Sequence, residues 1–356
     1  MSTTALQRAV VMIGGVGMLL AGCGGGGTET ATSPAATDSP AAAGGGENQV
    51  TLVSYAVTKK AYEAIIPKFV ADWKAKTGQE VSFKQSYGGS GSQTRAVIDG
   101  LEADIVAVAL AGDVKKIEQA GLIDPGWEKE VPNDGIVTNS VVTFVTRPGK
   151  PKVEKWEQLG TGDFQIITAN PKTSGGAKWN FLGLWGSVIQ AGGDEAKAQA
   201  FVESVLRNTP ILPKDAREST DVFYKQGQGD VLINYENEIL LAKLNGEEQP
   251  YTVPTDINIR IEGPVAVVDK IVDKRGTRKI AEAFAQFLFT PDAQREFAKV
   301  GFRPVDPTVA KEFEKQFPPV TKLITVQDFG GWEAIDKKFF SDGGIFDKTQ
   351  AAIAKP

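Results

Sequence analysis

From Val50 onward, short runs of consecutive apolar residues alternate with stretches in which apolar positions recur every three or four residues, the pattern of an α/β fold. Residues 50–56 read as a short buried strand. Tyr62, Ile65, Ile66, Phe69, Val70 and Trp73 then fall at offsets of 0, 3, 4, 7, 8 and 11, which places them on one face of a helix ended by Gly78. Residues 80–85 predict the next strand, 94–101 a helix and 103–110 a buried strand. Further strands are expected at 140–146, 164–169, 231–235 and 263–268, and Thr290-Pro291 supplies the N-cap and first residue of a late helix. Two stretches look like crossings between lobes: the strand ahead of Arg147-Pro148-Gly149, and residues 253–263. Residues 146–254 are therefore expected to form one lobe. Residues 49–145 and 255–356 form the other, the latter carrying the C-terminal helices.

The first 48 residues follow a different pattern. A sparse basic start (Arg8) precedes an apolar run from Ala9 to Ala21 that is interrupted by glycines and falls short of the roughly 20 residues a spanning helix needs. It ends in Leu20-Ala21-Gly22-Cys23, which resembles the lipobox of bacterial lipoproteins, cleaved before the cysteine that is then acylated. Residues 1–22 are thus expected to be a signal peptide and Cys23 the lipid attachment. Cys23 is the only cysteine, so no internal disulfide competes for it. Residues 23–48 are mostly Gly, Thr, Ala, Ser and Pro, a composition that buries too little apolar surface to fold and reads as a tether. The expected location is outside the cytoplasmic membrane, in the periplasm or on the membrane's outer face.

Charge and composition narrow the function. The formal charge is −5, or −6 once Arg8 is removed with the signal peptide, leaving 38 basic against 44 acidic residues. That balance argues against general nucleic-acid binding, which favours a basic face. There is no histidine, which removes the commonest general base and the commonest metal ligand, and no metal or cofactor is expected.

Three segments share one design, a strand feeding a small-residue turn that opens a helix: Tyr87-Gly88-Gly89-Ser90-Gly91, Lys172-Thr173-Ser174-Gly175-Gly176-Ala177, and the looser Asp215-Ala216-Arg217-Glu218-Ser219-Thr220. The first turn of a helix carries unpaired N–H groups and the positive end of the macrodipole. Glycine and serine let an anion approach those donors closely. Several such termini meeting at one cleft hold an anion without a cationic side chain. About seven charge-assisted hydrogen bonds, each worth roughly 1.5–3 kcal/mol net, offset the cost of burying the charge. None of the three is a phosphate-cradling Gly-x-x-x-x-Gly-Lys-Ser/Thr loop.

The same segments carry a resemblance. Leu52-Val53-Ser54-Tyr55, Gln85 to Gly91, Val97 to Asp104, Asn170 to Asn180, Gly229 to Ile233 with Glu236-Asn237-Glu238, and Phe329-Gly330-Gly331-Trp332 are together similar to the periplasmic sulfate-binding protein family, in order over 50–346. The resemblance implies a two-lobed, type II periplasmic-binding-protein fold, each lobe a sheet flanked by helices. It implies a receptor that passes sulfate, or thiosulfate, to the permease subunits and ATPase of an ABC importer, and a monomer. By position, Ser90 and Ala216 would offer backbone N–H groups, Ser174 its N–H and hydroxyl, and Gly175 and Gly176 their N–H groups. Arg217 would support the site from behind. The chain departs from the family at Ala56 and Val57 (usually aspartate and proline), at Tyr87 (often histidine), and at Tyr235, where a tryptophan normally donates its indole N–H. A phenol both donates and accepts. Molybdate and phosphate trail as ligands: phosphate keeps a proton at neutral pH and wants an acceptor, which sulfate does not.

Catalysis is the competing class, with Ser174 as nucleophile. No histidine exists to activate it, and Lys178 lies four residues on rather than in a Ser-x-x-Lys pattern. Trp179 and Trp185, six apart in one expected helix, read as packing. Glu236 and Glu238, by alternation, are not expected both to face one side with Asn237 and are given no catalytic role.

Overall fold

The computed structural model describes residues 48–161 and 163–354. The expected signal peptide, Cys23 and nearly all of the tether lie outside the described residues. Three βα units open the described chain: β1 (Gln49–Tyr55) with α1 (Lys59–Thr77), β2 (Ser82–Gly88) with α2 (Ser90–Ile98), and β3 (Ile105–Ala107) with α3 (Ala111–Gln119). β1 runs parallel to β2 on one side and β3 on the other, residue 55 standing opposite 88 and residue 54 opposite 107. The strand ends and the helix starts after β1, β2 and β3 therefore share one edge of this sheet.

The chain continues through β4 (Ile136–Ser140) and β5 (Val142–Thr146), the single turn α4 (Gln158–Thr161), β6 (Ile166–Ile167), α5 (Gly175–Gln190), α6 (Glu195–Arg207), α7 (Ala216–Tyr224), β7 (Val231–Tyr235), α8 (Glu236–Leu244) and β8 (Tyr251–Thr252). β6, β7, β5 and β8 form a second four-stranded sheet. β9 (Ile257–Ile259), β10 (Ile261–Pro264) and β11 (Ala266–Val267) then return the chain to the first sheet, where β11 pairs antiparallel with β3. Helices α9 (Asp269–Arg275), α10 (Arg278–Phe287), α11 (Pro291–Lys299) and α12 (Pro307–Glu312) follow. Strand β12 (Lys322–Ile324), beside β9, leads to α13 (Trp332–Ile335) and α14 (Ile345–Ile353).

The strand expected at 140–146 is divided at Val141. β4 pairs with β10 while β5 joins the second sheet, so one residue separates strands in different sheets. The run expected at 263–268 is likewise the end of β10 and all of β11. The α1 reading holds: Tyr62, Ile65, Ile66, Phe69 and Trp73 are buried, and Gly78 closes the helix in the left-handed region at φ 74°. Their partners come from the far end of the chain. Phe69 meets Phe284 edge-on with centroids 5.1 Å apart, and Tyr62 meets Phe297 at 5.7 Å.

The second sheet packs on α5, which is buried from Gly175 to Ser187. A helix enclosed on every side is fixed in place. Asn180 adds hydrogen bonds to Thr168 Oγ1 and the Ile233 carbonyl, both at 2.9 Å. Trp185 and Phe181 pack against Phe339, and Trp179 against Trp332, the packing role expected for the two tryptophans. Thr290 caps α11 with Pro291 at its start, as its sequence requires. Among the described residues no helix is long and apolar enough to cross a membrane.

Candidate anion-binding site

Each of the three small-residue turns opens a helix, and the three openings meet. Gly89 is the N-cap of α2; Ser174 caps α5, its hydroxyl accepting from Ala177 N–H at 3.3 Å; Asp215 caps α7, its carboxylate accepting from Glu218 N–H at 2.9 Å. Ser90, Ser174, Gly175, Gly176, Ala216 and Tyr235 all line one small enclosure, together with Tyr55, Ala56, Val57, Gly88, Gly89, Ala109 and Asp215. A fourth terminus joins them, since Tyr235 ends β7 and is at once the N-cap of α8. Sequence reasoning missed that helix start because tyrosine carries no capping signal.

The donors are free to act. Among the described hydrogen bonds, the backbone N–H groups of Ser90, Gly175, Gly176 and Ala216 have no acceptor. Ser174 differs from expectation: its N–H is held by the Asn170 carbonyl at 2.8 Å, which leaves the hydroxyl as its donor. Ser90 is the reverse. Its hydroxyl donates to Asp113 Oδ2 at 2.6 Å and accepts from Ala109 N–H at 3.0 Å, so only the backbone N–H faces a guest. The Tyr235 hydroxyl is buried and unpaired among the described residues. Burial first, then the neighbouring Tyr55 and the charges of Glu238 and Asp113, push its pKa well above the ordinary phenol range, so the phenol keeps its proton as a donor.

Close approach explains the glycines. A Cβ on Gly175 would stand 2.6 Å from the Ala109 methyl, and one on Gly176 would stand 2.6 Å from the Tyr235 ring. Elements from the two sheets therefore touch at the enclosure with no room for a side chain. Trp179 Nε1 seals the contact by donating to the Ala109 carbonyl at 2.9 Å.

No lysine or arginine lines the enclosure among the described residues. Arg217 turns away to Glu238, at 2.6 Å, and Lys178 to Asp336, at 2.9 Å. Burial raises the Glu238 carboxyl, while Arg217 and Thr220 pull it back. Asp215 is the one charged group at the wall, as a helix cap. The alternation read for Glu236 and Glu238 is corrected, because both lie on α8 rather than on a strand. Glu236 is held by Arg303 (2.6 and 2.9 Å) and Glu238 by Arg217. Among the described residues no cluster of His, Cys, Asp or Glu is arranged to hold a metal ion.

The arrangement thus offers hydrogen-bond donors, the positive ends of four helices and a phenol to a small anion. Residues 50–303 match the family model of bacterial extracellular solute-binding proteins. A sulfate-binding protein of Synechocystis is 60% identical over 336 residues, spanning 92% of this chain and 95% of that one. The chain belongs to the sulfate-binding protein family. A thiosulfate-binding protein of Pseudomonas aeruginosa is more distant, at 36% identity over 83% of this chain and 90% of the relative. Among solved structures, the sulfate-binding protein SubI of Mycobacterium tuberculosis superposes with a TM-score of 0.75 at 37% identity, covering 83% of this chain and all of that one. The two four-stranded sheets with their helices form the α/β fold of periplasmic binding proteins, and the matched family model is one of extracellular solute-binding proteins.

Proposed function

We propose that this protein captures sulfate outside the cytoplasmic membrane and delivers it to the permease subunits and ATPase of an ABC importer. The observation that carries the reading is the convergence of unpaired N–H groups from Ser90, Gly175, Gly176 and Ala216 on an enclosure without a cationic side chain. Ser174 and Tyr235 add hydroxyl protons. A dianion is then balanced by oriented dipoles that need no reorganisation on binding. The names of its sulfate-binding relatives point the same way.

Sulfate has no proton at neutral pH and so suits a wall of donors whose one carboxylate among the described residues, Asp215, is engaged as the α7 cap. Leaving a phosphate proton unpaired costs about 1–3 kcal/mol, tenfold or more in affinity. Thiosulfate is the second reading, favoured by the thiosulfate-binding relative and by a dianionic charge that needs no acceptor. Residues 49–145 with 255–356, and residues 146–254, act as lobes closing on the guest. Cys23 carries the lipid that holds the protein, as a monomer, at the membrane. The protein binds without chemistry: Ser174 is a cap and donor, and no histidine stands anywhere in the chain to activate it. Competition titration with sulfate, thiosulfate, molybdate and phosphate at two pH values tests the reading. Sulfate should bind best and phosphate worst; tighter phosphate than sulfate, or ester hydrolysis lost in Ser174→Ala, would overturn it.

A further inference from the structure

The C-terminal segment is anchored beside one sheet and reaches a helix of the other. Its aromatic residues bed on α5, the helix against which the second sheet packs. Phe339 and Phe340 stand 5.8 and 5.4 Å from Phe181, centroid to centroid, and Phe339 stands 5.0 Å from Trp185. Lys172, just ahead of α5, adds hydrogen bonds to the Phe340 carbonyl at 3.0 Å and to Asp347 Oδ2 at 2.9 Å. The segment is thereby fixed to α5.

From that footing two of its residues reach α3, which follows β3 of the first sheet. Trp332 lies between Trp179 of α5, 4.9 Å away centroid to centroid, and Gly112 of α3, where a Cβ would meet the Trp332 side chain at 3.0 Å. Asp336 places one carboxylate oxygen 2.6 Å from Lys116 Nζ of α3 and the other 2.9 Å from Lys178 Nζ of α5. Its side chain is only 20% exposed, so these charge-assisted bonds are screened less than those of a surface pair. Without that carboxylate, two ammonium groups would face each other between α3 and α5. Lys116 also stands 3.6 Å from Asp113, one turn back on α3, and Asp113 accepts from the Ser90 hydroxyl at 2.6 Å. The gripped helix is thus tied to a wall of the anion enclosure. Beside the Asp336 bridge, α2, α3, α5 and the C-terminal segment border a cleft of about 490 Å³ rather than packed core.

We propose that Asp336 is a clasp: when α3 and α5 come together around a bound anion it bridges Lys116 and Lys178, and so sets how long the anion stays. The inference rests on the proposed closing of two lobes on the guest. Asp336 does not line the enclosure and acts as a positioning residue, through closure alone. Because the bridge forms only once the two sides have met, it governs departure of the anion rather than its arrival.

Stopped-flow tryptophan fluorescence of the full chain, with Trp332 as a reporter between α3 and Trp179, separates the two rates for sulfate and, in parallel, for thiosulfate. Asp336→Asn should raise the dissociation rate constant about tenfold and leave association within about twofold. Asp336→Glu, which keeps the charge, should recover most of the difference. Lys116→Met, at a more exposed side chain, should speed dissociation in the same way, and adding Asp336→Asn to it should change nothing further. Urea denaturation reports that each variant folds; if Asp336→Asn does not, Lys116→Met decides alone. Wild-type dissociation in Lys116→Met or in folded Asp336→Asn, a loss confined to association, or additive effects of the two substitutions would overturn the proposal. Wild-type protein that binds thiosulfate and not sulfate would overturn the sulfate reading alone, the clasp then being read with thiosulfate; binding of neither anion overturns both.

Discussion

At the scale of single residues, the site depends on what is missing as much as on what is present. Gly175 has no side chain because Ala109 occupies the space where one would sit, 2.6 Å from the missing Cβ. Gly175→Ala should therefore weaken sulfate binding by preventing the two sheets' elements from meeting, and Gly175→Asp should abolish it by adding a like charge. Retained micromolar affinity in Gly175→Asp, measured by calorimetry, would contradict the assignment. Tyr235→Phe removes one buried donor and should cost about 1–3 kcal/mol of affinity; an unchanged dissociation constant would remove Tyr235 from the site. Small residues of this kind were legible in the sequence. Asn-Pro-Lys-Thr-Ser-Gly-Gly-Ala announced both the helix start and the close approach. The exchange of Ser174 N–H for its hydroxyl was not legible, since it depends on the Asn170 carbonyl being turned toward that N–H.

At the scale of elements, the pattern of apolar positions located α1 and β7 well because each signals itself locally, by a periodic face or by the short apolar run Val231-Leu232-Ile233. The failures share a cause. β7 passes into α8 at Tyr235 without a capping residue, and β4 passes into β5 at Val141 without a turn residue. In both places the partner strand or sheet decides where the element ends, and local sequence carries no trace of that choice. The start of α8 is held instead by a distant pair: Glu236 is 1% exposed and bonded twice to Arg303, whose own backbone pairs with Asn139 in β4. Arg303→Met should destabilise the fold by about 3–5 kcal/mol by leaving a buried carboxylate unpaired. Adding Glu236→Gln should recover most of that loss in urea denaturation. Equal stability of the single variant and wild type would show that the pair carries no structural weight.

At the scale of the molecule, the two sheets bring four helix openings from residues 90, 175, 216 and 236 to one point. No separation along the sequence reveals that meeting; the resemblance to sulfate-binding proteins anticipated three of the openings and the place of Tyr235, but not the helix that starts there. All six residues named for the site line the enclosure, so protein lacking residues 1–48 should bind sulfate as tightly as the full chain. A drop of tenfold would show that the leading segment touches the site. The central claim is that amide hydrogens hold the dianion, and NMR observes those hydrogens directly. On adding sulfate to the isotopically labelled protein, the amide protons of Ser90, Gly175, Gly176 and Ala216 should move downfield together and stop moving at one equivalent. If those four stay in place while arginine or lysine side-chain signals shift instead, the account is wrong.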